Sequence, residues 1–401
     1  MLQKLLPFLL VALLSSCADD TTSPTPPANS KTIQPAPNGS VYWSWDGQTP
    51  VLLIGGTKSR APFLDEDFKL ELTALRQAGG NYVNIFLPTM IDSTGFAPFL
   101  RDFDAPPEER QYHFLPEYWT ALQGFLDYAA EMRLAVEIDP WDRAAFEPEG
   151  WSKNVFNYSV PLDSVKVGRP DQWLPGEHPF FQTVPGSIMY HSSLDGLREL
   201  QELFLDKLLE TTLPYRNVIY NVDSETTLNV PWTAHWGRYI ERAAAEAGRT
   251  VFVRLRTKPV VPTRIADFNA RVLAGQPIAH HPAPPYGNGG NGAALASLRG
   301  IRVVERHLKF WDLRPAPELL LEENSLATAA KDGKGNYLIY LPSAGGVTLS
   351  PDWTEQRPVK VTVVGYLGTQ RSETLQPPYG DSFRMYTEEE KGGWMILEPE
   401  G

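Results

Sequence analysis

The sequence predicts an α/β fold, a parallel sheet of short buried strands wrapped by helices, followed by a small antiparallel β-sandwich. Three observations carry that reading. From about residue 40, short apolar runs alternate with helices whose Leu, Ala and Phe recur at a 3.6-residue period. Near residue 315 this gives way to short alternating strands punctuated by Gly, Pro and Asp. After the first strand stands "GGTKSR" rather than G-x-G-x-x-G, so the dinucleotide-binding version of such a sheet is disfavoured. An open doubly wound sheet or a barrel both satisfy the alternation.

The N-terminus comes first in chain order. Lys4 precedes the apolar run "LLPFLLVALL", which has the length of a signal-peptide core and is too short to span a bilayer. It ends in Leu14, Ser15, Ser16, Cys17, similar to a bacterial lipobox, so residues 1–16 are expected to be an export signal and Cys17 the lipidated residue. Cys17 is the only cysteine, which excludes an intrachain disulfide framework. Residues 17–38 are rich in Pro, Ser, Thr and Asp and cannot bury enough surface to offset their ordering entropy, so a flexible tether is expected there. The expected location is a bacterial cell envelope, on a membrane through the lipid anchor.

Residues 39–315 are expected to form the α/β domain. "SVYWSWDGQTPVLLIGG" reads as a hairpin turning at Asp46 and Gly47 that leads into the first buried strand. Helix "LDEDFKLELTALRQAGG" then leads to strand "NYVNIFL", "PEYWTALQGFLDYAAEMR" to "LAVEIDPWD", and "SLDGLRELQELFLDKLLETTLPYR" to "NVIYNVDSE". "TAHWGRYIERAAAEAG" leads to "TVFVRLR", and "QPIAHHP" is the last strand. An insertion from Arg143 to Ser192 carries Trp151, Tyr158, Trp173, Phe180, Phe181 and Tyr190; a loop of that length is usually functional. Residues 316–401 are expected to form the β-sandwich.

Bulk properties narrow the ligand. The chain has 401 residues, 42% of them hydrophobic, enough for a large core and a smaller companion. A formal net charge of -12 without a basic stripe argues against nucleic acid. Most of the 11 Trp and 16 Tyr are read as packing residues, with some in loops where flat rings can stack on sugars.

The chemistry is sought at the strand ends. Residues two apart on a strand share a face, so Asn221, Asp223 and Glu225 lie together, as do Glu137 and Asp139. In a barrel those ends form the active-site mouth, where a carboxylate beside apolar walls suits a general acid. Neighbouring strands lie about 5 Å apart, so acids from these two ends fall within the roughly 5 to 10 Å that separates paired glycosidase carboxylates. The same acids also read as a helix N-cap or a strand end that has reached water. Pro140 ends the second cluster and leaves Trp141, Asp142 and Arg143 at the rim. His280 and His281 are adjacent on a strand and point to opposite faces, which argues against joint chelation; no H-E-x-x-H is present, and neither a metal nor another cofactor is expected.

Taken in order, "PVLLIGGT", "GGNYVNIFL", "FLDYAAEMRLAVEIDPWDR", "NVIYNVDSETT" and "AHHPAPPYGNGGNGAALASLRGIRVVERHLKFWDL" resemble segments of bacterial apiosidase-like glycoside hydrolases. The resemblance covers most of residues 40 to 395. It implies a TIM-like (β/α)8 barrel followed by a small β-domain often labelled collagen-binding. It also implies that Glu225 is the acid/base, with Ser224 where the wider clan has Asn. His280, His281 and Pro282 stand for the family's His-Arg-Pro, and the Arg is missing. Only nineteen residues, 257 to 275, separate "TVFVRLR" from "QPIAHHP", whereas two further strand-helix units need about fifty. Six barrel strands are therefore expected, without the strand that bears the clan's nucleophile. Either Asp139 or Asp142 takes that task, or the protein holds glycans without cleaving them. The substrate-binding residues assigned around these acids are Trp141, Arg143, Trp151, Asn84, His280 and Tyr286, and the expected partner is a carbohydrate.

Overall fold

The computed structural model describes residues 32–37, 42–91, 96–101, 112–141, 143–157, 178–222, 230–254, 272–273, 278–280, 291–321, 327–350, 357–377, 379, 383–387 and 392–400. The chain opens with a three-stranded antiparallel sheet, β1 (Gln34–Pro35), β2 (Trp43–Ser44) and β3 (Pro50–Val51). The turn between β2 and β3 is held by Asp46, whose Oδ1 accepts from the backbone N–H groups of Gln48 and Thr49 at 2.9 and 2.8 Å. Gly47 beside it takes φ +72°, a conformation that suits glycine.

Next come β4 (Leu53–Gly55), α1 (Phe68–Gln77), β5 (Tyr82–Phe86), the hairpin β6 (Phe99–Arg101) and β7 (Tyr112–Phe114), α2 (Pro116–Glu131) and β8 (Ala135–Asp139). After the short α3 (Pro148–Trp151) follow α4 (Asp195–Thr212), β9 (Val218–Asn221), α5 (Val230–Glu246), β10 (Val253–Arg254), β11 (Ile278–His280) and α6 (Gly292–His307). The sheet runs β10-β9-β8-β5-β4-β11, every pairing parallel. These are the six strands expected from the sequence. Among the described residues nothing joins β10 to β11, and the barrel is not closed.

Helix and strand periods explain the layers. α2 starts with Pro116 in the first turn, and Tyr118, Leu122, Phe125, Leu126 and Ala129 form its buried stripe. They meet the outward residues of the sheet, Val83, Ile85, Val136, Ile138, Val218 and Tyr220. Each fully buried Leu or Phe in this layer contributes roughly 1.5–3 kcal/mol. The opposite parity, Leu53, Tyr82, Ala135 and Ile219, forms a second cluster inside the sheet's curve. Ile33 and Trp43 join it from the N-terminal sheet, and the Trp43 ring meets Phe252 edge-on at 6.0 Å. The hairpin thus plugs the floor of the barrel, and the Ile33 N–H donates to the Arg216 carbonyl at 2.8 Å.

Two tight approaches fix neighbouring elements. A Cβ on Gly55 would stand 1.9 Å from the Tyr82 carbonyl oxygen, so only glycine lets β4 lie against β5 there. Asn81 ties the same strands, its side chain accepting from the Ile54 N–H at 3.0 Å and donating to the Leu52 carbonyl at 3.1 Å.

The C-terminal part contains β12 (Arg314–Pro315), β13 (Thr328–Lys331), β14 (Tyr337–Leu341), β15 (Gly345–Leu349), β16 (Val359–Gly365), β17 (Gln370–Leu375), β18 (Phe383–Thr387) and β19 (Gly393–Pro399). Six strands form an antiparallel sheet in the order β12-β13-β14-β19-β16-β17, while β15 pairs with β18. Val347 and Leu349 of β15 pack on one face of the larger sheet through Ile339, Leu341, Val361, Met395 and Leu397. Its other face, with Leu338, Tyr340, Val364, Trp394 and Ile396, belongs to the main core together with Leu298, Ile301 and Val304 of α6. A Cβ on Gly300 of α6 would lie 3.1 Å from the Gly365 carbonyl oxygen, a measure of how closely helix and sheet are seated.

Candidate functional site

Alternation along the strands brings Asn84, Glu137, Asn221 and Arg254 to the concave face above its apolar floor. Asn84 pairs in register with Glu137, and Arg254 with Asn221. One step further toward the strand ends, Phe86 pairs with Asp139. In an α/β barrel this C-terminal rim is where ligands are handled.

Glu137 is 1% exposed. Nη1 of Arg254 lies 2.7 Å from both of its carboxylate oxygens, and the Tyr82 hydroxyl donates to Oε2 at 3.2 Å. β9 lies between the two charged strands, and two strand spacings are about 10 Å. Only a long side chain such as that of arginine or lysine crosses that distance. Burial, and after it the Glu137 charge, pushes the Tyr82 phenol well above its ordinary pKa, so the hydroxyl keeps its proton and serves as donor. Burial of Arg254 acts to lower its pKa, and Glu137 foremost among nearby charges outweighs that, leaving the guanidinium protonated.

Asp139 is 0% exposed at the end of β8, and its backbone carbonyl accepts from the Leu87 N–H at 3.1 Å. Its charge acts on both Arg254 and Tyr82. Asn84 is buried beside Glu137, with Nδ2 3.5 Å from the Glu137 carbonyl oxygen, a long contact. Asn221 is 2% exposed, and its Oδ1 has no hydrogen-bond partner among the described residues. At the rim, Arg60 is exposed and its guanidinium stands 3.8 Å above the Phe86 ring.

The two tryptophans expected to meet sugar are interior. Trp141 is 0% exposed and packs at 5.0 Å on Trp232, 5.5 Å on Phe180 and 5.7 Å on Trp236. Trp151 is 2% exposed and meets His178 edge-on at 4.5 Å. This corrects the expectation that Trp141 and Trp151 bind substrate: ring faces covered by other rings are not available for stacking. The described parts of the insertion join the main core through Phe146, Phe156, Phe180 and Phe181, because hydrophobic burial outweighs exposure for so many rings in one segment. Within it His178 is held neutral, burial pushing its pKa down to about 3, and its Nδ1 accepts from the Phe180 N–H at 3.2 Å.

Of the other expected site residues, Glu225, Asp142, Tyr286 and Cys17 lie outside the described residues, as do Asp223, His281 and Pro282. His280 ends β11 in register with Gly55, and Arg143 opens a short 3-10 helix; the side chains of these two residues also lie outside what is described. Sequence reasoning missed Tyr82, Arg254 and Arg60. A signal existed for one of them: Arg254 interrupts the apolar "TVFVRLR" just as Glu137 interrupts "LAVEI", and opposite charges within the strands of one sheet are expected to pair.

No family model matches the chain, and no curated protein matches it. Solved structures similar to it include one described as a glycoside hydrolase, 10% identical with a TM-score of 0.49, the overlap covering 92% of this chain and 97% of that one. Another is a glycoside hydrolase family 5 structure from Bacteroides vulgatus ATCC 8482, 10% identical with a TM-score of 0.48 and 92% of each chain covered. At such scores the likeness carries no activity across, and function has to be read from the residues.

Proposed function

We propose that this chain is a cell-envelope lipoprotein that hydrolyses O-glycosidic bonds in a polysaccharide or oligosaccharide. The observation supporting this is the polar tier at the C-terminal rim of the parallel sheet. Glu137, Asp139, Asn84, Asn221 and Arg254 converge there above an apolar floor, and Glu225 follows the end of β9 by four residues in sequence. Glu225 is the acid/base in this reading. Full burial of Asp139 leaves Asp142, three residues on, as the better carboxylate to reach a substrate. Asp139 then works from below, its charge felt by Arg254 and Tyr82. The apiosidase-like and collagen-binding labels rest on the quoted sequence segments, and anchoring rests on Cys17 and the apolar run before it.

A second reading is favoured by two observations: no strand among the described residues joins β10 to β11, and Asp139 has no exposed surface. In it the barrel holds glycan without chemistry. One experiment separates the two. Wild type, Glu225→Gln and Asp142→Asn are screened against plant and algal oligosaccharides for reducing ends released, with calorimetric binding measured in parallel. Hydrolysis by wild type that both variants lose supports the enzyme. Binding without turnover supports the second reading, and equal turnover by wild type and Glu225→Gln removes Glu225 from its role.

A further inference from the structure

Arg254 does more than neutralise Glu137. A guanidinium has five N–H donors arranged in a planar fork, and both oxygens of Glu137 are met by one nitrogen, Nη1. Among the described residues Nε and Nη2 make no hydrogen bond, and the side chain is 36% exposed, although the carboxylate it holds is 1% exposed. The fork is thus anchored by one prong, and its other edge, Nε with Nη2, belongs to a side chain that is still partly exposed. That edge matches the spacing of two oxygens on a carboxylate or sulfate, the geometry in which arginine binds oxyanions most strongly. Arg60, exposed over Phe86, adds a second guanidinium at the same rim. Asn84 and Asn221 in the tier between them offer amides suited to sugar hydroxyls.

We infer that the glycan handled here carries an oxyanion, a uronate carboxylate or a sulfate ester, and that the free edge of Arg254 receives it. This rests on the glycan-site reading above and specifies its substrate class. The bound Glu137 lowers the net field of the guanidinium but leaves its Nε and Nη2 donors in place. Recognition is therefore directional, through paired hydrogen bonds, and is not a general attraction of anions to a chain of net charge -12.

The test compares the full chain's affinity for three size-matched oligosaccharides, a neutral galactan, an oligogalacturonide and a sulfated galactan. The wild type is expected to bind at least one acidic ligand about tenfold or more tightly than the neutral one. Arg254→Lys keeps a cation for Glu137 but lacks the second edge, and is expected to shrink that preference to about threefold or less with the thermal midpoint little changed. Equal affinity of the wild type for all three overturns the inference and leaves the glycan reading standing, as does a preference that Arg254→Lys retains in full. Absence of binding to every one of the three overturns both.

Discussion

Arg254 on β10 reaches past β9 to set its Nη1 2.7 Å from each carboxylate oxygen of Glu137 on β8. The two partners differ in access to water, 36% exposed against 1%, and the consequences of breaking the pair differ accordingly. Arg254→Met leaves a carboxylate stranded in the sheet and is expected to cost roughly 3 kcal/mol of folding stability. Glu137→Gln leaves a guanidinium that can still hydrate and is expected to cost about 1 kcal/mol. Urea unfolding of both variants measures the asymmetry; equal losses would mean that the ion pair is solvated in solution.

Trp141 is a core residue. Its replacement by Ala opens a cavity between Trp232, Phe180 and Trp236, with an expected loss of about 3–5 kcal/mol. The loss should be read in chemical unfolding with no ligand present. A variant of undiminished stability that fails to bind glycan would return Trp141 to the binding surface.

His178 gives the insertion a pH dependence. Its folded pKa, near 3, lies below the unfolded value of about 6.5, so the unfolded chain binds more protons between those limits. Stability from this site is complete above about pH 6.5 and is lost as pH falls toward 3, by about 1.4 kcal/mol per unit at most. His178→Asn keeps an acceptor for the Phe180 N–H without the titration. Its stability from pH 7 to pH 4 should fall less steeply than that of the wild type, and parallel curves would refute the assignment.

Gly300 couples the two sheets. A larger side chain there meets the Gly365 and Tyr366 carbonyl oxygens, 3.1 and 3.2 Å from the position of a Cβ, and these are backbone atoms with little room to retreat. Gly300→Val is expected to cost about 2 kcal/mol or more. Calorimetry should resolve two transitions in the variant where the wild type has one.

The parallel strands were legible because burial on both faces leaves unbroken apolar runs such as "YVNIF" and "AVEID", and the turn at Asp46 because its acceptor pattern is local. The hairpin β6–β7 was not anticipated, since its strands are three residues each and depend on a pairing that no local period announces. The roles of Trp141 and Trp151 were misread because position at a strand end does not reveal what a loop will fold over it. Arg254 was overlooked because its partner sits 117 residues earlier in the chain, and only the sheet order brings them together.

The floor of the barrel carries a mechanical implication. Ile33 and Trp43 are synthesised early, yet their companions Ile219 and Phe252 emerge from the ribosome much later. The stopper must wait for the vessel, so its seating is a late event in maturation. Once seated, it takes the load: a pull on the polypeptide ahead of Thr32 is borne by the Ile33–Arg216 staple before it reaches the polar tier at the far end.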